Sequence, residues 1–65
     1  MNIGEIIKHL RIERNLSQQK LAQEIGVSQK AIDYWERGIN EPKASYILLL
    51  ADFFGVTTDF LLGRD

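Results

Sequence analysis

Residues 16–38 read Leu16-Ser-Gln-Gln-Lys-Leu-Ala-Gln-Glu-Ile-Gly-Val-Ser-Gln-Lys-Ala-Ile-Asp-Tyr-Trp-Glu-Arg-Gly38. Leu21, Ala22 and Ile25 recur at helical spacing, and so do Ala31, Ile32 and Trp35. The stretch therefore holds two short amphipathic helices. Only Gly26-Val27-Ser28 separates them. Helices joined this tightly cross at a large angle instead of lying side by side, which is the geometry of a helix-turn-helix. Each packing demand of that crossing is met. Ala22 is small where the next helix passes over it, Gly26 permits the sharp exit, and Val27 fills the corner. Leu21, Ile25, Ile32 and Trp35 face inward, and Trp35 reads as core.

The rest of the chain is helical in the same way. Upstream, Ile3, Ile6, Ile7 and Leu10 fall at i, i+3, i+4 and i+7, predicting a first helix from about Ile3 to Arg14. Downstream, Ile47, Leu50, Ala51 and Phe54 mark a fourth helix, and Phe60, Leu61 and Leu62 a final short one. Asn2, Ser17, Ser28 and Thr57 precede these runs as N-caps, whose oxygens accept from first-turn amides. Asn15, Gly26, Gly38, Gly55 and Gly63 follow them as left-handed stops. Pro42 leads into the fourth helix, which begins somewhere between Lys43 and Ser45. No segment alternates with period two, so no sheet is expected. The reading is an all-α fold of five short helices forming one domain over residues 1–65.

The run from Leu16 to Gly38, followed by Pro42 and by Leu50-Ala-Asp-Phe-Phe-Gly-Val-Thr-Thr-Asp-Phe-Leu-Leu-Gly63, resembles the lambda-repressor-like family. This is the Cro/C1-type (XRE) helix-turn-helix of phage repressors and bacterial regulators. The resemblance covers essentially the whole chain and implies a recognition helix at residues 29–37, lying in the major groove of DNA. On a wheel with Ile32 inward, Lys30, Asp33, Tyr34 and Arg37 point outward, and Gln29 sits in the exposed first turn. Gln29, Lys30 and Tyr34 match the family's base-reading positions. Glutamine can pair with adenine N6/N7 and lysine with guanine O6/N7, whereas Tyr34 departs from the usual small or amide side chain. Packing on a thymine methyl and bonding to a phosphate both stay open for it. Gln18 matches a backbone-contacting glutamine, placed where free amides favour a phosphate. Arg14, Ser28, Arg37 and Lys43 are further phosphate candidates by proximity.

The same resemblance implies a salt bridge between Arg11, at the edge of the first helix's apolar face, and Glu36, about 40° from Ile32 on the wheel. A departure concerns Tyr46, Leu49 and Phe53. They lie at i, i+3 and i+7, away from the buried face of the fourth helix, where the family usually has a polar residue at the position of Leu49. The stripe is a candidate homodimer patch, set against a reading in which Phe53 packs under the C-terminal turn and the other two are isolated surface residues.

Composition narrows the function classes. The chain has 65 residues and a formal charge of −1, so basicity alone does not announce a nucleic-acid partner. Residues 11–43 carry six basic and five acidic side chains, against two and four elsewhere. That small tilt predicts weak non-specific binding. With no cysteine and one histidine, no disulfide, thiolate site, multi-histidine metal site or cofactor is expected. His9 reads as a solvent-facing residue of the first helix. Ser17 is explained as a cap, and no phosphate loop or carboxylate cluster appears. Asp33 has the chemistry to accept from cytosine N4, but its spacing to Arg37 and Lys30 favours an intrahelical partner instead. The longest apolar run, Tyr46–Ala51, has six residues, far short of a membrane span. Glu5 precedes any sustained apolar stretch, against a signal peptide. The expectation is a cytoplasmic, non-enzymatic regulator of transcription, most simply a repressor that binds an inverted-repeat duplex operator as a homodimer. An antitoxin-like or adaptor protein, with a toxin or antirepressor as partner, is the competing class. The chain stops just past the glycine closing the last helix, where a domain cut would fall. A complete protein and the N-terminal domain of a longer regulator both stay open.

Overall fold

The computed structural model describes residues 2–64. Its helices are α1 (Ile3–Glu13), α2 (Gln18–Ile25), α3 (Gln29–Arg37), α4 (Ala44–Phe54) and α5 (Thr58–Leu61). No strand occurs among the described residues.

The starts are set by short polar side chains. Asn2 Oδ1 accepts from the Glu5 amide at 2.9 Å while Glu5 Oε1 accepts from the Asn2 amide at 3.2 Å, a reciprocal box that pairs two otherwise orphaned donors. Ser17, Ser28 and Thr57 accept from the amides of Lys20, Ala31 and Phe60 at 2.9–3.1 Å. Lys43 caps α4 with its backbone only. Asn15 takes a left-handed φ of 57°, and α1 ends one residue before Arg14, which serves as its C-cap.

At the tight turn, Gly26 has φ 86° and ψ 34°, a conformation a Cβ would oppose. Its amide and that of Val27 both donate to the Ala22 carbonyl, at 2.8 and 3.0 Å. These bonds close α2 and turn the chain sharply into α3.

Each helix supplies one side chain with no exposure: Ile7, Leu21, Ile32, Leu50 and Leu61. Around them pack Ile3, Ile6, Ala22, Ile25, Trp35, Ala51 and Phe54 in one core. α3 packs on α2 and α1, α2 also on α4, and α5 on α4 and α1.

Gly4 lies on the buried face of α1. A Cβ built there would sit 2.2 Å from the Trp35 carbonyl oxygen, so α1 rests directly on the backbone of the last turn of α3. That close approach needs glycine. Beside it, Glu36 is the one buried charged residue among those described. Arg11 Nε and Nη2 donate to its two oxygens at 2.6 and 3.0 Å, and Arg11 Nη1 donates to the Leu16 carbonyl at 2.8 Å. The hydrogen bond to Glu36 holds Arg11 protonated more firmly than a free guanidinium.

Two groups of candidate residues sit in surroundings that the sequence did not show. Tyr46 and Phe53 do not form an open stripe with Leu49. Tyr46 is half-buried, its ring 5.6 Å from that of Trp35. Phe53 is half-buried edge-on against Phe54, with centroids 5.1 Å apart. Leu49 alone of the three is exposed. Arg14 is turned toward the end of α4. Its Nη1 and Nη2 donate to the Phe53 and Phe54 carbonyls at 3.1 and 2.7 Å, and its guanidinium lies over both rings. The unpaired carbonyls and partial negative charge at the end of α4 draw it there.

Candidate nucleic-acid interface

The start of α2 and the outer face of α3 form one surface. Gln18, Gln29, Lys30, Asp33 and Tyr34 line a shallow, open depression on it. Ser28 caps α3 at its edge, exposed Arg37 stands in the last turn of α3 and exposed Lys43 precedes α4. The first amides of α2 and α3 have no intrahelical partner, so both helices present donors at their positive ends.

The side chains on this surface are not independent. Gln18 Nε2 donates to Asp33 Oδ1 at 3.2 Å and to Glu36 Oε1 at 3.1 Å. Its amide thus links α2 to α3. Both side-chain N–H donors of Gln18 are taken up by carboxylates. Arg37 Nε donates to Asp33 Oδ2 at 3.0 Å, with Nη2 at 2.8 Å. First the Gln18 amide and then the Arg37 guanidinium hold the Asp33 carboxyl below the ordinary carboxylate range. Lys30 does not pair with Asp33. Its Nζ lies 5.3 Å from the centre of the Tyr34 ring, and the Arg37 guanidinium carbon lies 5.6 Å from the same centre. Two cations against one ring give attraction in addition to burying the aliphatic stems.

Exposed Gln29 and Lys30 thus stand in the first turn of α3, with half-buried Tyr34 one turn on. His9 is on the solvent side of α1 near Glu13, at 3.4 Å. No group of three or more metal-ligating side chains occurs among the described residues.

Two helices crossing over a three-residue turn, with an exposed polar face on the second, define a helix-turn-helix protein. The helix-turn-helix family model matches residues 7–61, and the chain belongs to that family, in its Cro/C1-type branch. It is a family of DNA-binding transcription regulators and not of enzymes. Over all 65 residues the chain is 39% identical to the HTH-type transcriptional activator BcrR of Enterococcus faecalis, covering 32% of that protein. It is 35% identical over 63 residues to Repressor protein C2 of Salmonella phage P22, covering 97% of this chain and 29% of that protein. The fold matches the crystal structure of the P22 c2 repressor with a synthetic operator at a TM-score of 0.93 and 34% identity, over 100% of this chain and 98% of that one. SinR, solved in complex with DNA, matches at a TM-score of 0.84 and 28% identity, over 92% and 97%. The chain spans about a third to a half of the length of the first curated relatives it matches.

Proposed function

We propose that residues 1–65 act as one sequence-specific, duplex-DNA-binding domain of a transcription regulator, placing α3 in the major groove. The observation that carries this reading is the backbone match, along the whole chain, to a repressor bound to operator DNA. In this reading Gln29, Lys30 and Tyr34 contact bases. Ser28, Lys43 and the N-terminal amide of Gln18 contact the phosphate backbone, and Arg37 joins them where it leaves Asp33. Arg11 and Glu36 hold α1 against α3. The expected partner is an inverted-repeat operator bound by a homodimer. Each domain measures 27 × 23 × 20 Å, which lets two copies lie along one face of the duplex with recognition helices one turn, roughly 34 Å, apart. Leu49 is retained as a dimer candidate, joined by exposed Leu48, Phe60 and Leu62 of the α4–α5 end. Repression in the cytoplasm is the preferred output, without a cofactor. Activation is a second reading, favoured by the relative named an activator.

Selection of bound duplexes from a random pool tests the proposal. The expected product is a pair of inverted half-sites centred about one helical turn apart. Gln29→Ala and Lys30→Ala should each lose roughly 1–3 kcal/mol at one or two base positions. Recovery of no preferred sequence, with binding insensitive to salt, would instead mark the chain as a protein-binding adaptor.

A further inference from the structure

Asp33 is an acid in the middle of a surface proposed to meet a polyanion. It lies one helical turn beyond Gln29 and Lys30 and lines the same depression. Two elements hold it, since Oδ1 accepts from Gln18 of α2 and Oδ2 from Arg37 of α3. Its side chain keeps about one third of its exposure, at 34%. Both Arg37 donors fall on Oδ2, so Oδ1, with one partner, retains room for a second.

We propose that Asp33 is a specificity-determining residue that reads cytosine by accepting a hydrogen bond from its N4 amino group. This rests on the DNA-binding reading above. A carboxylate only accepts. In the major groove guanine offers the acceptors N7 and O6, and thymine the acceptor O4, so both repel it, as does a phosphate. Adenine offers a donor at N6 beside an acceptor at N7, whereas cytosine offers the N4 donor alone. An acceptor fixed in orientation before DNA arrives discriminates among these edges more sharply than a free side chain, because little rotamer entropy is left to lose. The partners that lower the proton affinity of Asp33 also keep it in its acceptor-only form.

The test is duplex selection from a random pool with wild type, Asp33→Ala and Asp33→Asn, each checked for melting behaviour. Wild type should enrich cytosine at one position of each half-site, by roughly tenfold or more over thymine. Asp33→Ala should level the four bases there to within about twofold while leaving the other positions as selective as before. Asp33→Asn, which can donate as well as accept, should move the preference to adenine. If both variants select the same bases as wild type with all affinities lowered alike, Asp33 only braces Gln18 and Arg37, and the proposal is wrong. If wild type itself enriches no sequence, the DNA-binding reading fails and takes this inference with it.

Discussion

Replacing Gly4 by alanine should destabilise the domain, against the usual rule for a glycine inside a helix. Helix propensity alone favours alanine by about 1 kcal/mol. The structure opposes it. The new Cβ would lie 2.2 Å from the Trp35 carbonyl oxygen and 3.2 Å from that of Glu36. Ordinary carbon–oxygen contacts are about 3.3–3.6 Å, so α1 and the end of α3 must part by roughly 1 Å. The obstacle is backbone, tied by the Gly38 amide to the same Trp35 carbonyl at 3.2 Å, and it cannot swing aside. Overpacking of this kind costs about 1–3 kcal/mol. The same parting stretches the 2.6 Å Arg11–Glu36 contact toward the limit of a useful hydrogen bond, which adds to the cost. The net loss should be about 1–2 kcal/mol, or roughly 4–16 °C in melting temperature for a domain of this size. Denaturant unfolding of the wild type, Gly4→Ala, Arg11→Ala and the double variant measures it. The double variant should lose less than the sum, because the glycine change has already weakened the ion pair. A Gly4→Ala protein that melts at or above wild type would refute the close-approach argument.

Other consequences are independent of that one. Arg11→Ala or Glu36→Ala should each cost about 3–5 kcal/mol by stranding a buried charge, much of the roughly 5–15 kcal/mol such domains have, and a melting point within a degree or two of wild type would show the pair to be dispensable. Arg14→Ala should cost about 1 kcal/mol in denaturant unfolding while leaving the salt dependence of DNA binding unchanged; a shallower salt slope would assign Arg14 to the phosphate contacts. Asp33 has a lowered folded-state pKa through Gln18 and Arg37, so its stabilising contribution is present above the unfolded value, near 3.9, and is lost as pH falls through the folded one. The stability gap between wild type and Asp33→Asn should therefore be constant from pH 5 to 8 and narrow below about pH 4, and a gap that widens in acid would contradict the assigned direction. Leu49→Lys should leave the melting temperature nearly unchanged while weakening binding to a palindrome far more than to a single half-site, and equal effects on both would remove Leu49 from the dimer interface.

Five helices, their caps and the tight turn at Gly26 were legible in the sequence, because each rests on residues within one or two turns of one another. Ser17 meets Lys20, and Ser28 meets Ala31, by local spacing alone. The outward face of α3 was equally legible, since wheel angle follows directly from residue number once Ile32 is inward. The Arg11–Glu36 pair was suggested by the family resemblance and not by the wheel, which placed Glu36 near the buried side without naming its partner. What the tertiary structure decided lies between residues far apart in the chain. Gln18 reaches Asp33 across 15 positions, and Arg14 reaches the end of α4 across 39 and 40. No local period encodes such contacts, so neither the hold of Arg14 on the end of α4 nor that of Gln18 on α3 was visible in the sequence. The packing of Tyr46 and Phe53 was hidden for the same reason. A helical wheel shows one buried face, but α4 is covered on a second side by Trp35 and by Arg14. Gly4 gave no signal of its role, because a missing Cβ acquires meaning only when another backbone comes to rest against it.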